Sequence, residues 1–311
     1  MPDCLIVSTI ADELAGDIDR LADYPIVTKA CTSAQQALAE YANETVLFGN
    51  PDMVAEILPE LPLVDWVQST WAGVKSLTAL DRRDYVLTGM KGAFGPQMSE
   101  YVFGHLLAHE LKVVQRMQEQ GKHNWFNSRS GTLYGKQLGI MGTGTIGQHI
   151  ATTARCFGIT VTGLSRSGTA VPGFEEIFDV AHLNEFLEDI DYLVAVLPQT
   201  AATENLLDAD ALARLPVHCY FVNAGRGNVV DDAALIKALE NGRLAGATLD
   251  VFDEEPLPQG NPLWDAPNLS ITAHIAAASH SSLIAPVFVD NFRRYKNKQA
   301  LKFVIDFDHG Y

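Results

Sequence analysis

The 311-residue chain has few cysteines, few basic residues and no long apolar run. Its four cysteines, Cys4, Cys31, Cys156 and Cys219, include no C-x-x-C pair. This argues against both a disulfide framework and a zinc site. We interpret the cysteines as small buried apolar residues, and we expect no metal ion.

Membrane-directing segments are also lacking. No apolar stretch approaches the ~18 residues that a membrane-spanning helix needs. The first residues, Met1-Pro-Asp-Cys4, lack the basic start and apolar core of a signal peptide. The sequence therefore predicts a cytoplasmic protein that has no membrane partner.

Positive charge is scarce. There are 22 Lys and Arg residues against 38 Asp and Glu residues, which gives a net charge of −16. A field of this sign repels phosphate and argues against nucleic acid as a partner. A small anionic substrate stays open, because screening over roughly 8 Å lets a few local arginines decide what binds in a cleft.

The length favours two domains, and short apolar runs alternate with helical patterns in both halves. Strands are predicted at 5–9, 26–27, 46–49, 64–69 and 85–88, with helices at 34–42 and 54–58. A long helix is predicted from Met98 to about Gln120, with Ser99 as its cap. Such alternation indicates a parallel, doubly wound sheet.

The alternation restarts after the long helix. Six strands are predicted, at 138–141, 160–164, 192–197, 220–223, 247–251 and 269–272, with helices at 146–156, 209–215, 233–240 and 283–295. The predicted fold class is α/β, with two doubly wound parallel-sheet domains. Residues 99–284 would form a dinucleotide-binding Rossmann domain, and residues 1–98 with 285–311 a flavodoxin-like substrate domain.

A G-x-G-x-x-G pattern at Gly142, Gly144 and Gly147 lies between a predicted strand and a predicted helix, and Thr145 and Ile146 lie inside it. The first glycine permits the tight turn, the second lets the backbone approach a pyrophosphate, and the third lets helix pack on strand. The helix N-terminus attracts the anion. The pattern predicts a bound dinucleotide.

The next strand ends in Ser165-Arg166-Ser167, where an NAD site carries an Asp or Glu for the ribose hydroxyls. An arginine fork and two hydroxyls suit a 2′-phosphate instead. A solvated turn arginine is the commonplace alternative. We predict NADP(H) as the preferred cofactor and keep NAD(H) as the alternative.

Three charged residues follow later strands: Arg226, Glu255 and His274. Each alone has a structural explanation, as a helix cap, part of an acidic turn or a core histidine. Together they suit reduction of a 2-oxo acid. Arg226 would bind the substrate carboxylate, His274 would donate a proton to the oxygen, and Glu255 would favour the protonated imidazole.

Several motifs extend this pattern and lie at 133–142, 196–200, 223–227, 249–256, 262–264 and 274–276. Through them the chain resembles the D-isomer-specific 2-hydroxyacid dehydrogenases over essentially its whole length. The resemblance implies a cleft between two domains and the three roles just given. It also implies a homodimer built through the long helix.

The resemblance implies further site positions. The backbone N–H groups of the loop Trp71, Ala72, Gly73 and Val74 would bind the substrate carboxylate, together with Arg226 and His274. Leu197, Pro198, Asn223 and Ala224 would contact the cofactor, and Asp250 would lie near the nicotinamide carboxamide.

One branch of the family fits best. The segment Lys91–Tyr101, taken with 165–167, resembles glyoxylate and hydroxypyruvate reductases. Three positions depart from the commoner family pattern: Thr145 replaces an arginine, Ala273 a proline, and Trp71 a small residue. A bulky ring at position 71 would favour small oxo acids such as glyoxylate, hydroxypyruvate or a pyruvate-like compound. That ring would equally suit the core or a partner subunit.

Other readings stay open. Formate dehydrogenases share the fold but would call for Gln at position 255, where this chain has Glu. A D-3-phosphoglycerate dehydrogenase-like enzyme is a further alternative, although many of these carry an added C-terminal module. A dinucleotide-sensing corepressor would bind the cofactor without turnover, and those proteins add disordered tails that nothing here resembles.

Overall fold

The structure is a computed structural model and describes residues 3–307. The chain divides into two compact units. One runs to Phe94 and resumes at Ser279, and the other is Gly95–Ala278. The boundaries proposed from sequence, 98/99 and 284/285, fall a few residues later, inside helices.

The strands are Cys4–Val7 (β1), Thr28–Cys31 (β2), Val46–Gly49 (β3), Trp66–Ser69 (β4), Val86–Thr88 (β5), Gln137–Met141 (β6), Thr160–Leu164 (β7), Glu176–Phe178 (β8), Tyr192–Ala195 (β9), Tyr220–Asn223 (β10), Gly246–Leu249 (β11) and Leu269–Ile271 (β12). The α-helices are Ala11–Leu21 (α1), Ala34–Glu40 (α2), Pro51–Ile57 (α3), Lys75–Thr78 (α4), Gly95–Glu110 (α5), Val113–Gly121 (α6), Thr145–Cys156 (α7), Leu183–Glu188 (α8), Ala209–Arg214 (α9), Asp232–Glu240 (α10) and Ser281–Lys296 (α11).

The first unit contains a five-stranded parallel sheet in the order β2-β1-β3-β4-β5. This is the flavodoxin-like order. Helix α11 covers one face, where Phe288 stacks on Phe48 with ring centroids 4.5 Å apart and on Trp66 at 5.6 Å. The predicted fold class is confirmed for this unit.

The second unit contains a seven-stranded parallel sheet in the order β12-β11-β10-β9-β6-β7-β8. The strand order reverses between β6 and β9, which is where open α/β sheets bind ligands. Alternate residues face opposite sides, so Leu193 and Phe221 belong to one buried cluster while Val194 and Val222 belong to another. The predicted Rossmann architecture is confirmed.

Some predicted elements were wrong in detail. The sheet has seven strands rather than six, because the edge strand β8 is three residues long and incompletely buried, and so gives no apolar run. Strand β2 lies at Thr28–Cys31 rather than at 26–27, and helix α1 carried no predicted counterpart.

The predicted long helix is two helices. Helix α5 begins at Gly95, and the helical conformation is interrupted before α6, where Lys112 takes a left-handed φ of 52°. Ser99 is not a cap. It is buried inside α5, where its Oγ lies 2.7 Å from His149 Nδ1 on α7.

All four cysteines are free thiols. Cys4, Cys31 and Cys219 are buried as predicted, whereas Cys156 is exposed because it lies on the outer face of the last turn of α7. Between residues 3 and 307, no helix combines the length and apolarity needed to cross a bilayer.

Candidate active site

The glycine turn joins β6 to α7 at the point where the strand order reverses. Gly142 has a φ of +108°, which only glycine adopts readily, and its N–H donates to Leu164 O at 2.9 Å. A Cβ on Gly147 would lie 1.9 Å from Gly142 O. Helix and turn therefore meet at a spacing that excludes any side chain.

The N-terminus of α7 fits a pyrophosphate. Gly144 is the N-cap of this 12-residue helix, and no side chain caps its first turn, which holds Thr145 and Ile146. A Cβ on Gly144 would meet nothing within 4 Å. The turn thus offers N–H groups, a helix dipole and open space to an anion.

The end of β7 carries hydroxyls and a cation. Ser165 Oγ accepts from Gly168 N at 3.1 Å, and Ser167 Oγ lies 2.8 Å from Thr169 Oγ1, while Arg166 is exposed. The acidic residue that follows β8, Asp179, binds His182 Nδ1 at 2.7 Å, and this hydrogen bond lowers the pKa of Asp179. The segment 165–169 itself contains no carboxylate.

The ends of β9 and β10 lie side by side. A Cβ on Gly225 would be 2.8 Å from Leu197 N, so the segment with Asn223 and Ala224 lies close to the one with Leu197 and Pro198. Asn223 holds this turn, since its Oδ1 accepts from Gly225 N at 3.1 Å and its Nδ2 donates to Arg226 O at 2.9 Å.

Arg226 is half-buried, and its Nη1 donates to Gly225 O at 2.6 Å. Burial lowers the pKa of Arg226, and the charge of Glu255 opposes that shift. Arginine nevertheless stays charged in proteins. Gly227 packs on the Phe252–Asp253 peptide, since its Cβ would lie 2.1 Å from Phe252 C, and this brings the turn against the segment that carries Glu255.

Glu255 and His274 form a pair. His274 Nδ1 lies 2.7 Å from Glu255 Oε2, while Glu255 Oε1 accepts from Phe252 N at 2.9 Å. The His274 side chain is 51% exposed and the Glu255 side chain is 34% exposed. One ring nitrogen is therefore held by a fixed carboxylate, and Nε2 is left for another partner.

Asp250 organises the loop that carries His274. Its buried carboxylate accepts from Thr272 Oγ1 at 2.5 Å and Ile275 N at 2.8 Å through Oδ1, and from Ala276 N at 2.8 Å through Oδ2. Its carbonyl accepts from His274 N at 2.8 Å. Sequence reasoning assigned Asp250 to the cofactor and missed this role, which only contacts distant in sequence reveal.

A cavity of about 390 Å³ lies beside the pair, within the second unit. Leu257, Trp264 and Ile271 contribute apolar walls, and Glu255 and His274 line it too. The pair of Glu255 and His274 therefore borders a largely apolar space, in which ionic interactions are screened less than in bulk water.

The predicted substrate loop lies in the first unit. Ser69 holds it, because its Oγ accepts from Trp71 N at 2.9 Å and donates to Trp71 O at 2.8 Å. Ala72 and Gly73 follow on the surface, and Val74 is buried beneath. The Trp71 side chain is 37% exposed, so it is not part of that unit's own core. Across residues 3–307, no three His, Cys, Asp or Glu side chains gather as metal ligands.

Comparison with known proteins agrees with this geometry. The family model of the D-isomer specific 2-hydroxyacid dehydrogenase, NAD binding domain, matches residues 103–276. Glyoxylate/hydroxypyruvate reductase B of Escherichia fergusonii is 29% identical over 306 residues, which cover 93% of each chain.

Two crystal structures share the whole fold. A D-isomer specific 2-hydroxyacid dehydrogenase family protein from Aeromonas salmonicida is 37% identical, covers 99% of both chains and superposes with a TM-score of 0.93. The NADPH-dependent glyoxylate/hydroxypyruvate reductase from Sinorhizobium meliloti, in complex with NADP and sulfate, is 28% identical, covers 99% of this chain and 100% of its own, and gives 0.86. The chain therefore belongs to the D-isomer specific 2-hydroxyacid dehydrogenase family, in its glyoxylate/hydroxypyruvate reductase-like branch, and is an NAD(P)-dependent oxidoreductase, as its motifs predicted.

Proposed function

We propose that this chain reduces a small 2-oxo acid to the D-2-hydroxy acid with NADPH, using His274 as general acid, Glu255 as its partner and Arg226 to bind the substrate. The observation that carries the proposal is the 2.7 Å contact between His274 Nδ1 and Glu255 Oε2 at the end of β12. A carboxylate on one ring nitrogen fixes the tautomer and leaves the other nitrogen for the reacting oxygen.

The protein groups divide the work. Bound NADPH would supply the hydride to the carbonyl carbon. Arg226 would fork onto the substrate carboxylate and polarise the adjacent carbonyl, because its planar guanidinium matches a carboxylate. His274 Nε2 would give its proton to the carbonyl oxygen, while Nδ1–H stays hydrogen-bonded to Glu255. Oxidation of the hydroxy acid would use the same groups in reverse.

The cofactor proposal rests on two features. The open, uncapped start of α7 suits the pyrophosphate, with Leu197, Pro198, Asn223 and Ala224 alongside. The end of β7 offers Arg166 and two serine hydroxyls instead of a carboxylate, which favours the 2′-phosphate of NADPH over NADH. The related Sinorhizobium meliloti reductase, crystallised with NADP, supports this preference.

For the substrate we propose glyoxylate, hydroxypyruvate or a pyruvate-like acid, as the names of the related reductases suggest. The backbone N–H groups of Ala72, Gly73 and Val74 would add contacts to the substrate carboxylate, and Trp71 would limit the length of the side chain. Activity across oxo acids of rising size tests this limit, and phenylpyruvate as the best substrate would contradict it.

We further propose a cytoplasmic homodimer that associates through α6 and the segment after it. The described side chains of α6 include no buried residue, and Val114, Met117 and Trp125 are 60%, 67% and 92% exposed. So many apolar groups on one segment favour burial against a second copy. Light scattering of the purified protein should give two chains per particle, and a mass of one chain would refute the dimer.

The decisive experiment is loss of NADPH absorbance on adding glyoxylate or hydroxypyruvate. We expect turnover in the wild type and a loss of about 10³-fold in His274→Ala, within the range for a removed general acid. NADPH binding, followed by cofactor fluorescence, should persist in the variant. Tight NADPH binding without reduction of any 2-oxo acid by the wild type would favour a dinucleotide sensor instead.

A further inference from the structure

A chain of partly buried hydroxyl groups joins helix α5 to the loop of His274. The hydroxyl of Tyr101 lies 2.7 Å from Thr272 Oγ1, and Thr272 Oγ1 donates to Asp250 Oδ1 at 2.5 Å. A threonine hydroxyl has one proton, and here it is given to Asp250. Tyr101 must therefore be the donor to Thr272, and the chain runs in one direction.

Tyr101 is suited to remain a donor. Burial raises the pKa of Tyr101, and although the hydrogen bond to Thr272 opposes this shift, burial dominates. Its ring packs against His105 one turn along α5, with centroids 4.6 Å apart. The phenol is thus protonated at all working pH values and fixed in place by its own helix.

Asp250, at the end of this series of hydrogen bonds, holds the loop of a strained residue, His274. His274 has a φ of +54°, which non-glycine residues rarely adopt. Asp250 bonds to Thr272, His274, Ile275 and Ala276 through its carboxylate and its carbonyl. Such a conformation persists only when the surroundings over-determine it.

We propose that Tyr101 and Thr272 are positioning residues for His274: they orient the Asp250 carboxylate, and that carboxylate holds the loop in which the imidazole meets the substrate. This inference rests on the proposed role of His274. It assigns a task in the reaction to helix α5, which the family motifs leave unassigned. Because the hydroxyl of Tyr101 binds Thr272, Tyr101 would act through Thr272 and Asp250.

The second unit contains a matched control. Tyr220 and Thr248 form a second tyrosine–threonine pair, which is buried, with their hydroxyl oxygens 2.8 Å apart on the neighbouring strands β10 and β11. This pair leads to His105 Nδ1 at 3.2 Å, and His105 in turn packs on the ring of Tyr101. The two pairs are therefore neighbours, but of the two phenols it is Tyr101 whose hydroxyl is linked by hydrogen bonds to Asp250 and the loop of His274.

The test compares Tyr101→Phe with Tyr220→Phe in NADPH-linked reduction of glyoxylate. We expect both variants to lose similar thermal stability. Only Tyr101→Phe should lose kcat, by roughly tenfold, which is less than the hundredfold that a misplacement of about 1 Å can cost. KM for glyoxylate should stay unchanged, because Arg226 is untouched.

Two further variants keep the inference falsifiable. Thr272→Val should lower kcat, Thr272→Ser should restore it, and adding Tyr101→Phe to Thr272→Val should cost little more, as expected for groups in one chain. If kcat is equal in Tyr101→Phe, Tyr220→Phe and wild type while His274→Ala is inactive, the inference fails and the proposed function stands. If His274→Ala keeps full activity, the proposed function fails first.

Discussion

The two parallel sheets end differently at their carboxyl edges. In the first unit, Ser8 and Thr70 follow β1 and β4, and both hydroxyls donate to Asn50 Oδ1, which follows β3, at 2.8 Å. All three residues are buried and neutral. In the second unit the corresponding edge carries Arg226, Glu255 and His274, which are charged or chargeable; Arg226 is half-buried, and the other two are exposed.

The two sheets share one architecture, and they differ in the side chains that stand at their carboxyl edges. At the first edge the hydroxyls of Ser8 and Thr70 both donate to Asn50, so these side chains are satisfied within their own unit. At the second edge, Nε2 of His274 and the guanidinium of Arg226 are the groups that would bind the substrate under the proposed function. A fold of this kind fixes where strand ends lie, and the side chains placed there decide whether the edge acts.

The largest effect is expected from removing a charge at the second edge. Glu255→Gln removes the negative charge beside His274 while keeping a similar shape. We expect kcat for oxo-acid reduction to fall by about 10- to 100-fold. Initial rates of NADPH-linked reduction measure this effect.

The matched change at the first edge is Ser8→Ala. It removes the buried hydrogen bond to Asn50 and the weaker one from Ile10 N, and should lower the free energy of unfolding by about 1 kcal/mol, with kcat unaffected. A Glu255→Gln variant that behaved in the same way, with lower stability and unchanged rates, would show that Glu255, like Ser8, has only a structural role.

A smaller effect is expected at the far end of the nucleotide site. Arg166→Ala should raise KM for NADPH by roughly tenfold, the equivalent of about 1.4 kcal/mol from lost charge-assisted hydrogen bonds. Rates with NADH should stay as they are, since NADH lacks the phosphate. Parallel kinetics with the two cofactors decide the matter, and a wild type that already prefers NADH would contradict the assignment.

The smallest expected effect concerns the carboxyl group of Asp232 in the second unit. Burial raises the pKa of Asp232, at the start of α10, to about 6, with Asp253 and Asp231 adding to the shift. The folded state thus holds a proton that the unfolded chain releases nearer pH 4, so this group's contribution to stability falls as pH rises from about 4 to about 6. Asp232→Asn should therefore raise Tm at pH 7.5, by an amount equivalent to at most about 1 kcal/mol after solvent screening.

That gain should vanish near pH 3, where Asp232 is protonated in both states. Thermal scans of wild type and Asp232→Asn at the two pH values provide the measurement. An equal gain at both would assign the effect to helix propensity rather than to charge.

The features that could be predicted from the sequence are those that depend on short-range patterns. The glycine turn, the strand ends and their charged residues follow apolar runs at short range, so the fold class could be predicted before any coordinates. Strand β8 could not, because three half-exposed residues at a sheet edge produce no periodic signal. The interruption between helices α5 and α6 at Lys112 could not be predicted either, because no proline or glycine lies there.

The site shows the same limit. His274 and Glu255 stand at positions that sequence reasoning could identify as strand ends. The contact of Tyr101 with Thr272 joins residues 171 positions apart, and the bonds of Asp250 to the loop depend on how β11 and β12 align. Such contacts follow from packing, which a single sequence does not encode in any short pattern.

The spacing between Gly147 and Gly142 has a consequence for protein engineering. Because even one methyl group at position 147 would overlap the carbonyl oxygen of Gly142, the phosphate-binding turn cannot be tuned by substitution there. Under the proposed function, a change of coenzyme would instead be attempted at residues 165–167, where Arg166 and Ser167 are exposed.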